Sequence, residues 1–236
     1  MLFLRSLLYY LGVSLAALVF SPLSLLILPL PFRQRYRIMT RWGRFAIWWL
    51  EKTCQLSYQV QGLENLPSGA AIVLSKHQSA WETIVFQQIF PMQVWLLKRE
   101  LLWVPLFGWG LATMQPIAIN RKSLRQSLQQ ITEQGKQRLA QGLWVVIFPE
   151  GTRVAPGEKK RYGVGGAMLA AESGYPVVPV ALNSGEFWPP KGIIKRPGII
   201  KVIIGPVIES TGKNYKEINA LAEKWMEDCS SNEFPS

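Results

Sequence analysis

Histidine and aspartate each occur once in the 236 residues, at His77 and Asp228, so any mechanism or metal site that needs two imidazoles is excluded. Cysteine occurs twice, and Cys54 and Cys229 stand in no pair or metal-ligand spacing. That excludes a disulfide-stapled secreted scaffold and a structural zinc site, and points to reduced cytosolic thiols. Charge is scarce: 17% of residues are charged against 49% hydrophobic, and mean hydropathy is +0.12. That balance excludes a disordered polycation and fits an ordinary soluble composition poorly. No fixed-period repeat and no long low-complexity linker divides the chain, which is long enough for one domain with a substantial core.

Acids are the scarcer sign, 15 against 26 Lys and Arg, for a net charge of +11. The excess is uneven. Residues 1–60 hold seven cations and one acid, whereas residues 209–236 hold three cations and six acids. The basic part is the one suited to an anionic partner, and a membrane contact is expected.

The N-terminal segment carries that expectation. Residues 6–32 contain no charge, but Pro22, Pro29 and Pro31 interrupt the run. Two arrangements fit: a single span that absorbs a kink at Pro22, or a one-leaflet hairpin that turns near Ser21-Pro22. No small-x-small cleavage site follows, which argues against a signal peptide. Arg33, Arg35, Arg37, Arg41 and Arg44 come directly after the run, a bias that places this end on the cytoplasmic side against anionic lipid. Ile38, Trp42, Phe45 and Trp49 recur at helical spacing beside the arginine arc, so residues 36–50 read as an amphipathic helix.

Beyond it, strands and helices alternate. Strands are expected over residues 56–61, 70–75, 94–97, 115–119, 144–148, 177–182 and 199–204, and helices over 81–90, 123–140, 165–173 and 215–228. Residues 230–236 read as frayed. The pattern predicts an α/β domain, a mixed sheet flanked by helices, over residues 56–236, preceded by a membrane-embedded helical motif over 1–55.

His77 follows the strand expected to end at Ser75, a place where a loop on a rigid frame exposes a catalytic side chain. Glu82, five residues on, has two readings. A carboxylate near an imidazole fixes its tautomer and leaves the other nitrogen to remove a proton from a hydroxyl. Ser79-x-x-Glu82 before an apolar helix is equally a capping box, with the glutamate returning to the Ser79 N–H. Ser79 lacks the strained elbow that nucleophilic serines occupy. Trp103, Leu106, Phe107 and Trp109 fit either an acyl groove or ordinary core, and aromatics at such spacings are more often core.

These residues resemble the glycerolipid acyltransferase family, most closely its bacterial 1-acylglycerol-3-phosphate acyltransferases. The family's His-x4-Asp motif is matched by His77-x4-Glu82, with glutamate one methylene longer than the usual aspartate. Its Phe-Pro-Glu-Gly-Thr-Arg block is matched in full by Phe148, Pro149, Glu150, Gly151, Thr152 and Arg153. Lys98-Arg99-Glu100-Leu101 looks like a second block and Val177-Val178-Pro179-Val180 like a fourth, so the likeness covers roughly residues 75–181.

The resemblance implies that His77, partnered by Glu82, deprotonates the 2-hydroxyl of lysophosphatidate for direct attack on an acyl thioester, giving phosphatidic acid. It implies acceptor-phosphate cations at Lys98 and Arg153, with Glu150 orienting Arg153 or meeting the glycerol, and Gly151 and Thr152 shaping the turn. No cofactor or metal is expected, only acyl-CoA or acyl-acyl carrier protein as co-substrate. The expected partners are lysophospholipid, acyl thioester and anionic membrane lipid, with acyl carrier protein as one possible donor and no nucleic acid. The expected location is the cytoplasmic face of a bacterial inner membrane. Other acceptors, glycerol-3-phosphate or a lyso-ornithine lipid, stay open, as does a non-catalytic protein that binds acidic lipid.

Overall fold

The computed structural model describes residues 1–120 and 123–234, with the Phe107 side chain also outside the described set. Helix α1 (Leu2–Leu26) runs unbroken through Pro22, and α2 (Phe32–Cys54) returns beside it. The hairpin turn therefore falls at residues 27–31, not at Ser21-Pro22 as one of the two expected arrangements had it. Ser24 Oγ donates to the Ser21 carbonyl next to the proline, one of the local side-chain bonds by which helices tolerate an internal proline. Close approach is permitted at Gly12, where a Cβ would lie 2.2 Å from the Trp49 indole nitrogen, and that nitrogen donates to the Leu8 carbonyl at 3.1 Å.

The surface of α1 is inverted relative to a soluble helix. Its buried residues are Ser6, Tyr9, Ser21 and Ser24, whereas Leu4, Leu7, Leu11, Leu15, Leu18 and Val19 are exposed. At about 1.5 Å per residue its 25 residues extend about 37 Å, long enough for a hydrocarbon core. On α2 the deeply buried stripe is Tyr36, Thr40, Gly43, Ile47, Leu50 and Cys54. The expected stripe of Ile38, Trp42, Phe45 and Trp49 forms its half-buried margin. Small residues decide this rotation, because Gly43 brings α2 against the backbone of the helix Trp81–Ile89 at the Ile84 carbonyl. Arg37, Arg41 and Arg44 stay exposed.

The sheet follows. Its strands are β1 (Leu56–Gln61), β2 (Ile72–Ser75), β3 (Gln93–Lys98), β4 (Ile117–Ile119), β5 (Trp144–Ile147), β6 (Val177–Leu182) and β7 (Gly198–Ile204). They stand in the order β1-β7-β6-β2-β5-β3-β4, all neighbours parallel except β6 and β7, so the mixed sheet is as expected. Central strands are buried on both faces, which is why β2, β5 and β6 read as continuous apolar runs. Pro179 is tolerated inside β6 because it faces β7 where β7 departs: Gly205 donates to its carbonyl, and no donor is required of the proline nitrogen.

Helices α3 (Trp81–Ile89) and α4 (Phe107–Thr113) lie on the face shared with α1 and α2. Helices α5 (Leu124–Ala140), α6 (Gly165–Ser173) and α8 (Tyr215–Glu233) cover the other, and a single turn of helix, α7 (Ser184–Phe187), follows β6. Each face has its own apolar cluster, one built on Trp81, Phe86 and Leu50, the other on Leu169, Ile218 and Met226. The tail is ordered further than expected: α8 continues to Glu233 behind an Asn214–Glu217 capping box, while Pro235 and Ser236 lie outside the described residues. Trp103 and Trp109 are not core, being 78% and 40% exposed.

The connection leaving β2 runs by α3 towards β3, and that leaving its neighbour β5 runs by α6 to β6 on the opposite side. Adjacent strands whose connections diverge leave a crevice beyond their carboxyl ends, the usual ligand position in such sheets.

Candidate active site

Both conspicuous sequence blocks open into that crevice. Residues 76–79 follow β2 and residues 148–153 follow β5, whose strands pair in register from Ile72 with Val145 to Leu74 with Ile147. Three contacts lock the two loops together. His77 N–H donates to Glu150 Oε2 at 2.7 Å, Val154 N–H donates to the His77 carbonyl at 2.8 Å, and the imidazole stacks on Phe148 at 4.1 Å.

Glu82 sits in the first turn of α3 and is fully buried. Oε1 accepts the Gln78 and Ser79 N–H groups, each at 3.0 Å, and also the Ser184 hydroxyl. Oε2 accepts Ser79 N–H at 3.1 Å and lies 3.5 Å from His77 Nδ1. The two readings of Glu82 are thus one arrangement, since the carboxylate that ties down the Ser79 backbone also faces the imidazole. The capping box is incomplete, because Ser79 Oγ accepts from Trp81 N–H rather than from that of Glu82. His77 Nδ1 is buried and 13% of the His77 side chain is exposed, so a proton exchanged with a ligand passes through Nε2. The 3.5 Å separation is long for a hydrogen bond, as it often is in a site without substrate.

Glu150 is 2% exposed and contacts Lys76 and the His77 backbone, while Arg153 donates to the Pro190 carbonyl. Oε2 takes the His77 N–H, and Oε1 lies 3.1 Å from the ammonium of Lys76, which is itself 4% exposed. Burial pushes the Glu150 carboxyl above the ordinary carboxylate range, against the opposing pull of Lys76 and the His77 N–H. Burial depresses Lys76, but the hydrogen bond it donates to Glu227 and the charge of Glu150 outweigh it and hold the ammonium above its usual value. Lys76 and Glu227 have no place in the sequence reading. A lysine directly after an apolar buried strand was the available signal for the first.

The acyltransferase family profile matches residues 57–183, which span both loops. A 1-acyl-sn-glycerol-3-phosphate acyltransferase of Pseudomonas aeruginosa is 45% identical over 230 residues, covering 95% of this chain and 90% of the relative. The chain belongs to the acyltransferase family. The human 1-acyl-sn-glycerol-3-phosphate acyltransferase alpha is 29% identical over 169 residues, 70% of this chain and 60% of the human one. The crystal structure of the 1-acyl-sn-glycerophosphate (LPA) acyltransferase from Thermotoga maritima has the same fold, with a TM-score of 0.81 at 21% identity over 99% of this chain and 96% of that one.

Gly151, Thr152, Arg153 and Lys98 lie on the same carboxyl edge, whereas residues 177–180 are buried within β6. Gly151 takes a positive φ of +68° to close the turn, with its N–H on the Phe148 carbonyl, and Thr152 and Arg153 are exposed beyond it. Arg153 donates to the Pro190 carbonyl at 3.4 Å and precedes the residue bonded to the His77 carbonyl. Lys98 is exposed at the end of β3. Because β5 stands between β3 and β2, Lys98 is offset from the His77 strand by two strand spacings, about 10 Å. Ser184, which donates to Glu82, was not anticipated, although Asn183-Ser184 closes the apolar run of β6 at this same edge.

Proposed function

We propose that the protein moves a fatty acyl group from an acyl thioester to the 2-hydroxyl of 1-acyl-sn-glycerol-3-phosphate, giving phosphatidic acid for phospholipid synthesis. The observation that carries the reading is the His77 imidazole, turned with its buried Nδ1 towards Glu82 and joined through its own carbonyl to the residue after Arg153. Similarity to acyltransferases of that name, over nearly the whole chain in the Pseudomonas case, supports the acceptor.

In this reading His77 Nε2 accepts the proton of the 2-hydroxyl as its oxygen attacks the thioester carbonyl. The new C–O bond forms, the C–S bond breaks, and the imidazolium returns the proton to the departing thiolate. Glu82 holds the ring and stabilises its positive charge. No acyl-enzyme is formed. Arg153 offers a planar fork to the acceptor phosphate, Lys98 is the second cation, and Gly151 and Thr152 form the turn that presents Arg153. The donor is acyl-CoA or acyl-acyl carrier protein, and no cofactor or metal takes part. The exposed apolar face of α1 and the exposed arginines of α2 support residence at the cytoplasmic face of a bacterial inner membrane, among anionic lipids.

Detergent-purified protein given lysophosphatidate and each thioester donor is expected to yield phosphatidic acid, and the His77→Ala variant to bind anionic vesicles but not turn over. Product formed only from glycerol-3-phosphate or a lyso-ornithine lipid would replace the acceptor. Turnover that survives His77→Ala would remove the mechanism.

A further inference from the structure

At the end of β2 successive side chains point to opposite faces of the sheet. His77 turns to the α3 side, where it stacks on Phe148, and Lys76 turns to the α8 side, 5.7 Å from the Tyr162 ring. There the Lys76 ammonium lies 2.6 Å from Glu227 Oε1, and the Tyr162 hydroxyl donates to the same oxygen at 3.1 Å. The inward face of α8 is otherwise apolar, made of Ile218, Ala222 and Met226. Glu227 adjoins that face with a side chain 21% exposed, while Lys224 and Asp228 pair with one another in solvent.

We propose that Glu227 is a positioning residue for catalysis: through Lys76 and Glu150 it holds the His77 backbone at the mouth of the crevice. The path is continuous and charged. Glu227 Oε1 meets Lys76 Nζ at 2.6 Å, Lys76 Nζ meets Glu150 Oε1 at 3.1 Å, and Glu150 Oε2 accepts His77 N–H at 2.7 Å. The shortest ionic contact in the path is with Glu227, so the ammonium is drawn towards α8. Glu150 then keeps one oxygen for the histidine backbone. With Glu227 neutralised, Lys76 and Glu150 become an isolated buried pair, and the carboxylate closes onto the ammonium at the expense of the His77 N–H. The acidic tail, which has no role in the family blocks, thereby completes the site. Arg153 and Lys98 lie outside the path, so acceptor binding is left alone.

His77 is the sole histidine, and this gives a direct test. Protein labelled with ¹⁵N-histidine and carrying no histidine tag yields one backbone amide resonance, shifted downfield by its bond to a carboxylate. Glu227→Gln is expected to move that amide proton upfield, to lower kcat about tenfold or more, and to leave the acceptor KM within about twofold. Glu227→Asp should recover part of both signals. In a double-mutant cycle with Lys76→Met, adding Glu227→Gln should change neither kcat nor the amide shift further. An unmoved amide in Glu227→Gln overturns the proposal, as does a kcat effect that multiplies in the double variant. A loss of thermal stability with kcat unchanged would make Glu227 a structural residue only. The kinetic arm rests on the acyl-transfer reading, but the spectroscopic arm does not, so failure of one is distinguishable from failure of the other.

Discussion

Glu82 Oε2 lies 3.5 Å from His77 Nδ1 while it accepts the Ser79 N–H at 3.1 Å, so a single carboxylate oxygen serves both the entry to α3 and the imidazole. Its companion oxygen shares that Ser79 N–H and accepts one further backbone N–H, from Gln78, and the Ser184 hydroxyl. Every group around this fully buried side chain is a donor or faces it as one, and that sets what can replace it.

An amide in place of Glu82 presents an NH₂ group to a pocket that holds donors, so Glu82→Gln leaves several of them unpaired at about 1–3 kcal/mol each. Turnover is expected to fall by 10²-fold or more and the melting temperature to drop measurably. Glu82→Asp keeps charge and acceptors with one methylene less reach, and should retain much of the activity. Steady-state kinetics and thermal melts on both variants check this. Equal, mild effects of the two changes would leave Glu82 as a cap and nothing more.

Arg153 and Lys98 are separable by position. Arg153 adjoins the residue whose N–H meets the His77 carbonyl, whereas Lys98 is two strands away. A phosphate one glycerol carbon from the reacting hydroxyl falls nearer the first. Arg153→Ala is expected to raise the acceptor KM tenfold or more and the donor KM little, with a smaller effect from Lys98→Ala. Initial-rate measurements with each substrate varied decide it, and an unchanged acceptor KM in Arg153→Ala would take that residue out of the phosphate site.

What the sequence made legible was whatever a short window encodes. Continuous apolar runs marked β2, β5 and β6, because a strand buried on both faces has no polar alternation to blur it, whereas β1 showed the alternation of a strand buried on one face. The His77 loop stood out for a related reason, since it abuts one such apolar run, whereas residues 148–153 were singled out by their match to the family's block. Helix rotation was less legible. On α2 the aromatic stripe was prominent, but small residues at Thr40, Gly43 and Ala46 determined which side packs closest. The turn of the N-terminal hairpin was misplaced because a proline inside an apolar helix is a stop signal only where its neighbours cannot supply local bonds. Partners distant in sequence were illegible altogether. Lys76 and Glu227 are 151 positions apart, and nothing local in either segment announces the other.

Glu150 provides a test in which stability and activity move apart. Its carboxyl is held above the ordinary 4.5 by burial. The stability it contributes is therefore fully present below pH 4.5, where it is protonated in both states. That stability is lost as pH rises through the folded-state value. Glu150→Gln cannot ionise, so its melting temperature relative to the unsubstituted protein should become more favourable from pH 4 to pH 7. Turnover should nevertheless fall, because the carboxylate pairs ionically with Lys76 on one oxygen and accepts from His77 N–H on the other, and an amide has no charge and one oxygen for the two. Melting curves across that pH range, paired with kcat at neutral pH, check both halves. A stability difference that stays flat with pH would mean that Glu150 is not strained by burial, and an undiminished kcat would mean that the His77 backbone does not depend on it.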